Sequence, residues 1–281
     1  MTVKIVTDST SDLPPEITNK LGITVVPLYV HFGNETYRDG IDLTTEDFYQ
    51  RLTLSKILPT TSTPAPGDFA EVYDRLAEET NEILVISLSS KYSTTYEAAV
   101  LGKELRKRKS KCRVEVIDSM FAISALGLIC ISAAKAAQAG ASLDEAIDVA
   151  RSSMRCVDMR MAFDTLEYLK RGGRIGTAQA FLGSVLKVNP ILTIKDGYTE
   201  AVTKMRSRAK AIDYLCDFAM SFSRIEEMTI EDATTPDEAK ILVERLDMRF
   251  PRERIYRTKV SPVGGTHVGP HVLVVTVLSA E

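Results

Sequence analysis

The sequence has few of the residues that build metal centres and disulfide frameworks. It holds only four cysteines in 281 residues, which are widely separated and form no C-x-x-C pair: Cys112, Cys130, Cys156 and Cys216. The three histidines form no cluster with them. A zinc site is therefore not expected, no metal ligand is assigned, and the thiols are expected to be reduced, as in a cytoplasmic protein.

The motifs that cradle nucleotide phosphates are also missing. Neither G-x-G-x-x-G nor G-x-x-x-x-G-K-[ST] occurs in the chain. Phosphate sites usually add a lysine or arginine to backbone amides, and the hydroxyl-rich segments of this sequence offer no such fork. We therefore predict no cofactor and expect a ligand with one modest acidic group.

Nothing in the overall charge favours a nucleic-acid partner, because the formal net charge is -3 and the pI is near 5.8. One basic cluster stands at the end of a predicted helix. It consists of Lys103, Arg106, Lys107, Arg108, Lys109, Lys111 and Arg113. Cations complement a helix C-terminus and no aromatic residues are interleaved, so we interpret this cluster as a solvated helix end.

Long hydrophobic runs are absent as well. The longest apolar stretch, residues 120–134, contains two serines and is shorter than a membrane span. The chain runs from Met1 directly into a predicted strand, without a charged leader before an apolar segment. We expect no stable membrane insertion, no secretion and a cytoplasmic location.

The chain does contain a regular alternation of short β-branched runs and helical patterns. In the first half, strands are predicted at 4–6, 23–32, 83–87 and 113–117, with helices from Leu13 and Thr45 and at 68–79, 95–108 and 120–138. This rhythm is typical of a mostly parallel, doubly wound sheet covered on both faces. Asp12 is the predicted N-cap of the first helix.

The sequence pattern of the second half of the chain predicts a second α/β layer, which contains antiparallel strands. The Asp196-Gly197 pair, between two β-rich runs, is typical of a two-residue hairpin. Helices are predicted at 209–222 and 236–249, and strands at 228–231, 254–259 and 272–278. We therefore predict an α/β fold of two domains: residues 1–157 with the parallel sheet, and residues 158–281 with a smaller mixed or antiparallel sheet and helices.

Four segments rich in hydroxyl residues, glycine or proline lie where predicted strands or helices end. They are residues 7–12, 59–69, 87–96 and 262–270. Ligands of open α/β sheets bind at the carboxyl ends of strands, and free amides at helix N-termini suit an anionic head group. Helix capping by Asp12, Asp68 or the serines explains the first three segments equally well.

The fourth segment reads Pro-Val-Gly-Gly-Thr-His-Val-Gly-Pro and contains His267. Glycine lets a ligand approach the main chain closely, and proline fixes a backbone dihedral. We predict a specialised loop that holds one polar group still. The alternative is a tight turn between two strands that happens to contain a histidine.

Taken in order, these pieces resemble the DegV family of bacterial fatty-acid-binding proteins over essentially the whole chain. The similar pieces are Val6-Thr7-Asp8-Ser9-Thr10, Thr61-Ser62 before Pro64, Ser89-Ser90 with Ser93 and Thr95-Tyr96, Asp118-Ser119, Leu169-Lys170-Arg171-Gly172-Gly173-Arg174-Ile175, and Thr266-His267-Val268-Gly269-Pro270. The resemblance implies two α/β domains that hold a long-chain, palmitate-like fatty acid between them in an apolar tunnel.

The resemblance also implies roles for individual residues. Thr61 and Ser93 would hydrogen-bond the carboxyl group, and the residues close by would be Ser62, Thr94, Gly265, Thr266 and His267. Family members carry acyl chains for a separate fatty acid kinase, so the implied role is a non-catalytic carrier subunit. Arg174 and Arg206 would face that kinase or be solvated surface charges.

Two positions depart from the family pattern. Thr94 stands where the family commonly has glycine, so a side chain is expected where the backbone otherwise approaches the ligand. His271 follows Pro270 where glycine is usual, and its ring is expected to crowd the loop or contact the head group. The site geometry is therefore expected to differ in detail.

An alternative hypothesis is a serine hydrolase acting on lipid esters. Ser93 or Ser9 would be the nucleophile, His267 the base, and Asp8 or Asp118 its partner. No G-x-S-x-G nucleophile elbow occurs. The carrier hypothesis is preferred.

Overall fold

The computed structural model describes residues 2–107, 111–182 and 188–280. The strands of these segments, in chain order, are β1 (Lys4–Asp8), β2 (Ile23–Val26), β3 (Tyr29–Phe32), β4 (Glu35–Arg38), β5 (Thr60–Ser62), β6 (Glu82–Ser87), β7 (Arg113–Asp118), β8 (Val157–Ala162), β9 (Asn189–Lys195), β10 (Tyr198–Met205), β11 (Ile225–Asp232), β12 (Ile255–Lys259) and β13 (Leu273–Ser279).

The helices are α1 (Pro15–Leu21), α2 (Thr45–Leu54), α3 (Pro66–Leu76), α4 (Thr95–Glu104), α5 (Ile123–Gln138), α6 (Leu143–Cys156), α7 (Glu167–Arg171), α8 (Arg208–Met220), α9 (Pro236–Asp247) and α10 (Pro262–Val268). Short 3₁₀ turns occupy Ser9–Ser11, Gly176–Phe181 and Arg252–Arg254. No helix of the described segments is both long and apolar enough to cross a bilayer.

The parallel sheet has the strand order β2-β1-β6-β7. Its central strands are buried on both faces, because α5 packs on one face while Phe69 and Tyr73 of α3 pack with Val85 on the other. Strands that are buried on both faces consist of consecutive apolar residues, and this pattern made them predictable from the sequence. The carboxyl ends of β1, β6 and β7 meet at one edge, where parallel strands place ligands.

A small antiparallel sheet, β4-β3-β5, was not predicted. The run at 23–32 was expected to be one strand, but it divides into β2 and β3 around Pro27. Proline cannot donate a ladder hydrogen bond, so the chain leaves the first sheet there. β3 then pairs with β5, with Val30 opposite Thr61.

The second large sheet has the order β10-β9-β8-β13-β11-β12 and is antiparallel except for the β11–β12 pair. The hairpin between β9 and β10 is confirmed, with φ of 49° at Asp196 and 82° at Gly197. The α/β class with a parallel and a mixed sheet is also confirmed. The mixed sheet was expected to be the smaller one, but in the described residues it has six strands and the parallel sheet four.

The two large sheets draw on separate parts of the chain. The parallel sheet uses residues between Lys4 and Asp118, and the mixed sheet those between Val157 and Ser279. One continuous apolar cluster nevertheless joins them, from Leu84 and Ile129 to Met159 and Val274. The division into domains at residues 157 and 158 stays a prediction.

Several predicted element boundaries were wrong. Asp12 does not cap the first helix, because it has φ of 53° and the helix starts after Pro14. The helix expected over 95–108 ends at Glu104; Arg108 and Lys109 of the basic cluster lie outside the described residues.

The segment 262–270 is not a loop, because Pro262–Val268 form α10. Ser261 caps this helix by accepting a hydrogen bond from the Gly264 amide, and Pro262 occupies the first turn. Gly269, with φ of 81°, ends the helix. His267 therefore projects from a helix whose first turn is buried.

Candidate ligand-binding site

A cavity lies between the carboxyl edge of the parallel sheet and the mixed sheet. It contains about 670 Å³ of space that no atom fills, counting the part open at its mouth. Most of its lining is apolar: Leu28, Leu88, Ala122, Ile123, Met161, Leu169, Ile194, Val263 and Val268.

A smaller set of polar side chains also lines this cavity. It consists of Thr10, Thr61, Tyr92, Ser93, Arg174, Thr199 and His267. These residues come from the turn after β1, from β5, from the segment before α4, from the turn after α7, from β10 and from α10. Distant parts of the chain thus meet around one space that is apolar with a few polar groups.

Thr61 and His267 are joined across 206 positions of sequence. The Thr61 Oγ1 atom lies 3.0 Å from His267 Nε2. Side chains alternate along a strand, so β5 directs Thr61 inward and its neighbour Ser62 outward. Pairing of β5 with β3 fixes this choice.

The His267 imidazole is held in its neutral form. Burial disfavours the charged ring and the nearby Arg174 guanidinium repels it, which together lower the His267 pKa to about 4. Its Nδ1 atom has no hydrogen-bond partner among the described residues. A neutral imidazole offers one donor and one acceptor; here Nε2 pairs with Thr61, and Nδ1 is buried against Gly172.

The Gly-Gly-Arg turn after α7 shapes the wall beside His267. A Cβ atom added at Gly172 would lie 2.3 Å from His267 Nδ1, so only glycine permits this approach. Gly173 follows with φ of 70°. The Arg174 Nε and Nη2 atoms donate to the Tyr92 carbonyl oxygen at 3.0 and 2.7 Å, and Nη1 donates to the Gly172 carbonyl oxygen at 2.5 Å.

Arg174 is therefore a half-buried part of the cavity wall and not a freely solvated charge. The expectation that no arginine accompanies the hydroxyl segments was wrong. The sequence signal was present in the Gly-Gly-Arg motif, but it could not show that this turn folds back to the segment around Tyr92.

Hydrogen bonds tie the mixed sheet to the segment before α4. Tyr92 Oη lies 2.9 Å from Thr199 Oγ1, which in turn donates to the Arg174 carbonyl oxygen at 2.7 Å. Ser89 Oγ donates to the Gly197 carbonyl oxygen at 3.0 Å. The β9–β10 hairpin is thus fixed against one side of the cavity.

Asp8 organises the end of the parallel sheet. Its buried carboxylate accepts hydrogen bonds from the Thr10 amide and hydroxyl, the Ser87 hydroxyl and the Leu88 amide. Burial is the largest influence and raises the Asp8 pKa, although these bonds oppose that shift. Thr10 and Leu88 line the cavity, so Asp8 shapes it without facing the ligand space.

No group of three or more His, Cys, Asp or Glu side chains in the described segments is arranged to hold a metal ion.

A family model described as "Uncharacterised protein, DegV family" matches residues 2–280. The chain belongs to the DegV family. A DegV domain-containing protein of Streptomyces coelicolor is 37% identical over 281 residues, covering 99% of this chain and 98% of that protein. The family resemblance predicted from the motifs is confirmed.

Two solved DegV structures share the fold along the full length of both chains. The fatty-acid-binding DegV family protein of Thermus thermophilus is 34% identical, covers 100% of each chain and has a TM-score of 0.90. DegV of Bacillus subtilis, a fatty acid binding protein, is 30% identical, also covers 100% of each chain and has a TM-score of 0.88.

Within this DegV chain, the predicted site residues divide into two groups. Thr61, Ser93 and His267 line the cavity together. Ser93 Oγ lies 2.9 Å from Thr95 Oγ1 and accepts from the Thr95 amide at 3.3 Å, which holds it at the start of α4.

The remaining predicted residues lie elsewhere. Ser62 and Thr94 face an outer groove beside Tyr29 and His31, and Ser62 Oγ lies 2.8 Å from His31 Nε2. The Thr94 side chain is therefore directed away from the cavity.

Thr266 donates to the Pro262 carbonyl oxygen within α10, and Gly265 packs against Phe48 and Tyr49 of α2. Arg206 and His271 are exposed and do not line the cavity, so the expectation that the His271 ring contacts the head group was wrong.

The structure adds three polar cavity residues that the sequence did not single out: Thr10 and Tyr92, which lie within the candidate segments 7–12 and 87–96, and Thr199, which lies outside all four segments.

Proposed function

We propose that this DegV protein binds a long-chain fatty acid in the cavity and presents its carboxyl group to a separate fatty acid kinase. The observation that carries the proposal is the cavity itself, which combines an apolar lining with a neutral Thr61–His267 pair. The fatty acid binding of the Thermus thermophilus and Bacillus subtilis relatives supports the same ligand class.

The apolar lining supplies the binding energy. Burial of a methylene contributes about 0.8 kcal/mol, so about fourteen methylenes offer on the order of 11 kcal/mol before ordering costs. Residues from both large sheets contribute to this lining, among them Leu88 from beyond β6 and Met161 from β8. A long acyl chain would therefore be held between the sheets.

The polar residues offset the cost of removing the carboxyl group from water. An unpaired buried charge costs several kcal/mol, and hydrogen bonds reduce that cost. The Thr61 and Ser93 hydroxyls can donate to a carboxylate or accept from a carboxylic acid. The Arg174 guanidinium adds a positive charge at the same wall.

The hydrolase alternative receives less support from the geometry. A triad would place a carboxylate against His267, yet Nδ1 of that ring has no partner among the described residues. Asp8 bonds Thr10, Ser87 and Leu88 instead, and Asp118 accepts from the Ser90 and Met120 amides. We therefore favour a carrier.

Extraction of the purified protein, followed by mass spectrometry, tests the binding. We expect one long-chain fatty acid per chain, and at least about tenfold weaker rebinding of palmitate by Thr61→Val, because a hydrogen bond to a charged group contributes about 1.5–3 kcal/mol. Thr60→Val is the matched control, since Thr60 is exposed on the same strand. A wild-type protein that binds no fatty acid after delipidation and reloading contradicts the proposal.

The transfer step is tested with a fatty acid kinase and ATP. We expect acyl phosphate when the palmitate-loaded protein is supplied, and none when the delipidated protein is supplied without fatty acid. Free palmitate at the same concentration is the control for carrier dependence. Equal product from free palmitate with and without the protein would contradict the carrier role while leaving fatty acid binding intact.

A further inference from the structure

Two buried carboxyl groups meet between the sheets, outside the cavity. Asp12 follows the turn after β1 and is 7% exposed, and Glu231 lies on β11 and is 0% exposed. Asp12 Oδ2 and the Ile123 side chain border the same point beside Gly264, and the next amide, that of Ser124, donates to Glu231. The two carboxyl groups are close enough for each to influence the pKa of the other. A residue of the parallel-sheet half thus lies beside a residue of the mixed sheet.

The surroundings supply too few donors for two carboxylates. Glu231 Oε2 accepts from the Ser124 amide at 3.2 Å. Among the described residues, neither oxygen of Asp12 nor Oε1 of Glu231 has a donor with hydrogen-bond geometry. Ionised carboxylates only accept, so two of them in contact need a proton to form a hydrogen bond.

Neighbouring cations do not neutralise the pair. The nearest basic side chains on β12, Arg257 and Lys259, are both bound to Asp232, at 2.9 and 2.7 Å. The other titratable groups that face the pair are acidic or phenolic: Asp39, Tyr49 and Asp232. Tyr49 donates its hydroxyl proton to the Val260 carbonyl oxygen at 3.1 Å. The Ser124 amide and the Ser261 hydroxyl favour negative charge on the pair, but the basic side chains of β12 are engaged by Asp232.

The carboxyl pair lies beneath the first turn of α10. A Cβ atom at Gly264 would lie 3.5 Å from Asp12 Oδ2, and the Val263 amide is close enough to the Asp39 carboxyl group to influence its pKa. Gly264 also lines the cavity, one turn before His267. The position of this turn determines where α10 presents its histidine.

We propose that Asp12 and Glu231 share one proton, and that this protonated pair joins the two sheets and positions α10 for ligand binding. The effect on a bound lipid rests on the proposed function, whereas the shared proton does not. Asp12 and Glu231 are positioning residues, since neither lines the cavity.

The expected pH dependence follows from the sign of the shifts. Burial, followed by the charge of Glu231, raises the Asp12 pKa well above its ordinary value, and burial also raises the Glu231 pKa. An acid with a raised pKa stabilises the folded state fully below its unfolded pKa, near 4, and the contribution is lost as pH rises through the folded pKa. Burial raises the Asp39 pKa to about 7, so Asp39 also lowers the stability of the folded state as the pH rises.

Amide variants distinguish the contribution of Asp12 and Glu231 to the pH dependence from that of the other titratable groups. In Asp12→Asn or Glu231→Gln, an N–H group replaces the shared proton and does not titrate. Asp217→Asn, at an exposed position on α8, is the matched control. Delipidated samples of all four proteins are unfolded thermally from pH 5 to pH 9, and the rate of palmitate release from reloaded samples is measured over the same range.

We expect the unfolding midpoints of wild type and Asp217→Asn to fall by at least about 3 °C more than those of the amide variants over this range. Palmitate release should accelerate with pH in wild type, by up to about tenfold per pH unit, and should depend less steeply on pH in Asp12→Asn, where Asp39 still titrates. Asp39 is present in all four proteins, so its contribution cancels in the comparison.

Equal pH slopes in wild type and in both amide variants would overturn the proposal. If Asp12→Asn fails to fold, infrared spectroscopy of wild type and Glu231→Gln provides the test. A protonated-carboxyl band at pH 8 in wild type that is lost in Glu231→Gln supports the shared proton. Absence of this band in wild type overturns the proposal. A protein that binds no palmitate at any pH would refute the proposed function, while the unfolding slopes still test the proton.

Discussion

Gly172 lies directly against the imidazole of His267, at the turn that follows α7. Its φ of -71° is open to any residue, so the requirement for glycine comes from the close approach and not from backbone strain. A methyl group at this position must displace the ring or the turn. The Thr61–His267 contact across the cavity depends on this one missing side chain.

We predict that Gly172→Ala destabilises the fold by about 1–3 kcal/mol, as overpacking does, and weakens palmitate binding at least about tenfold. Gly67→Ala is the matched control. Gly67 lies in the first turn of α3, a Cβ there would meet nothing within 4 Å, and alanine should be neutral or stabilising. Chemical denaturation and palmitate titration measure both effects. Equal behaviour of the two variants would show that Gly172 is not needed for close packing.

Single residues also show what the sequence could predict of the site. Thr61, Ser93 and His267 were named from motifs, and the structure brings all three to one cavity. Ser62, the immediate neighbour of Thr61, was predicted to lie close to the carboxyl group and faces the outer groove. The motif identifies the hydroxyl residues near the site. The pairing of the strand determines which of two adjacent side chains points into the cavity.

At the level of elements, buried parallel strands were predictable and α10 was not. The apolar runs of β1 and β6 carry their own signal because both faces are covered. α10 has a serine cap and an early proline, which indicate a helix start, but two glycines inside it and one at its end favour a loop.

Close packing stabilises α10 as a helix, although its glycines favour a loop. Cβ atoms at Gly264 and Gly265 would lie 2.8 Å from Val260 and 2.5 Å from Tyr49, so the helix sits closer to its neighbours than any other residue type permits. The small sheet β4-β3-β5 was not predicted because its pairing is not local. β5 has only three residues, and its pairing with β3 joins positions about thirty residues apart in the sequence.

At the level of the whole molecule, the cavity is a product of the arrangement of both large sheets. Its lining extends from Thr10 to Val268, and neither sheet forms it alone. The Tyr92–Thr199 hydrogen bond joins the segment before α4 to β10 at the cavity wall. A ligand held there contacts both halves at once and must stabilise their association.

We therefore predict that palmitate raises the unfolding midpoint of the whole chain in one cooperative transition. At a free concentration of about 100 times Kd, binding adds about 2.7 kcal/mol, which corresponds to a shift of roughly 5 °C for a chain of this size. Butyrate, which has the same carboxyl group and few methylenes, is the matched control and should produce almost no shift. Hydrogen exchange should slow in β8 and β9 as well as in α10, because the acyl chain contacts all three through Met161, Ile194 and Val263. Protection confined to α10, or an equal shift with butyrate, would mean that the ligand binds only through its carboxyl group and does not occupy the space between the sheets.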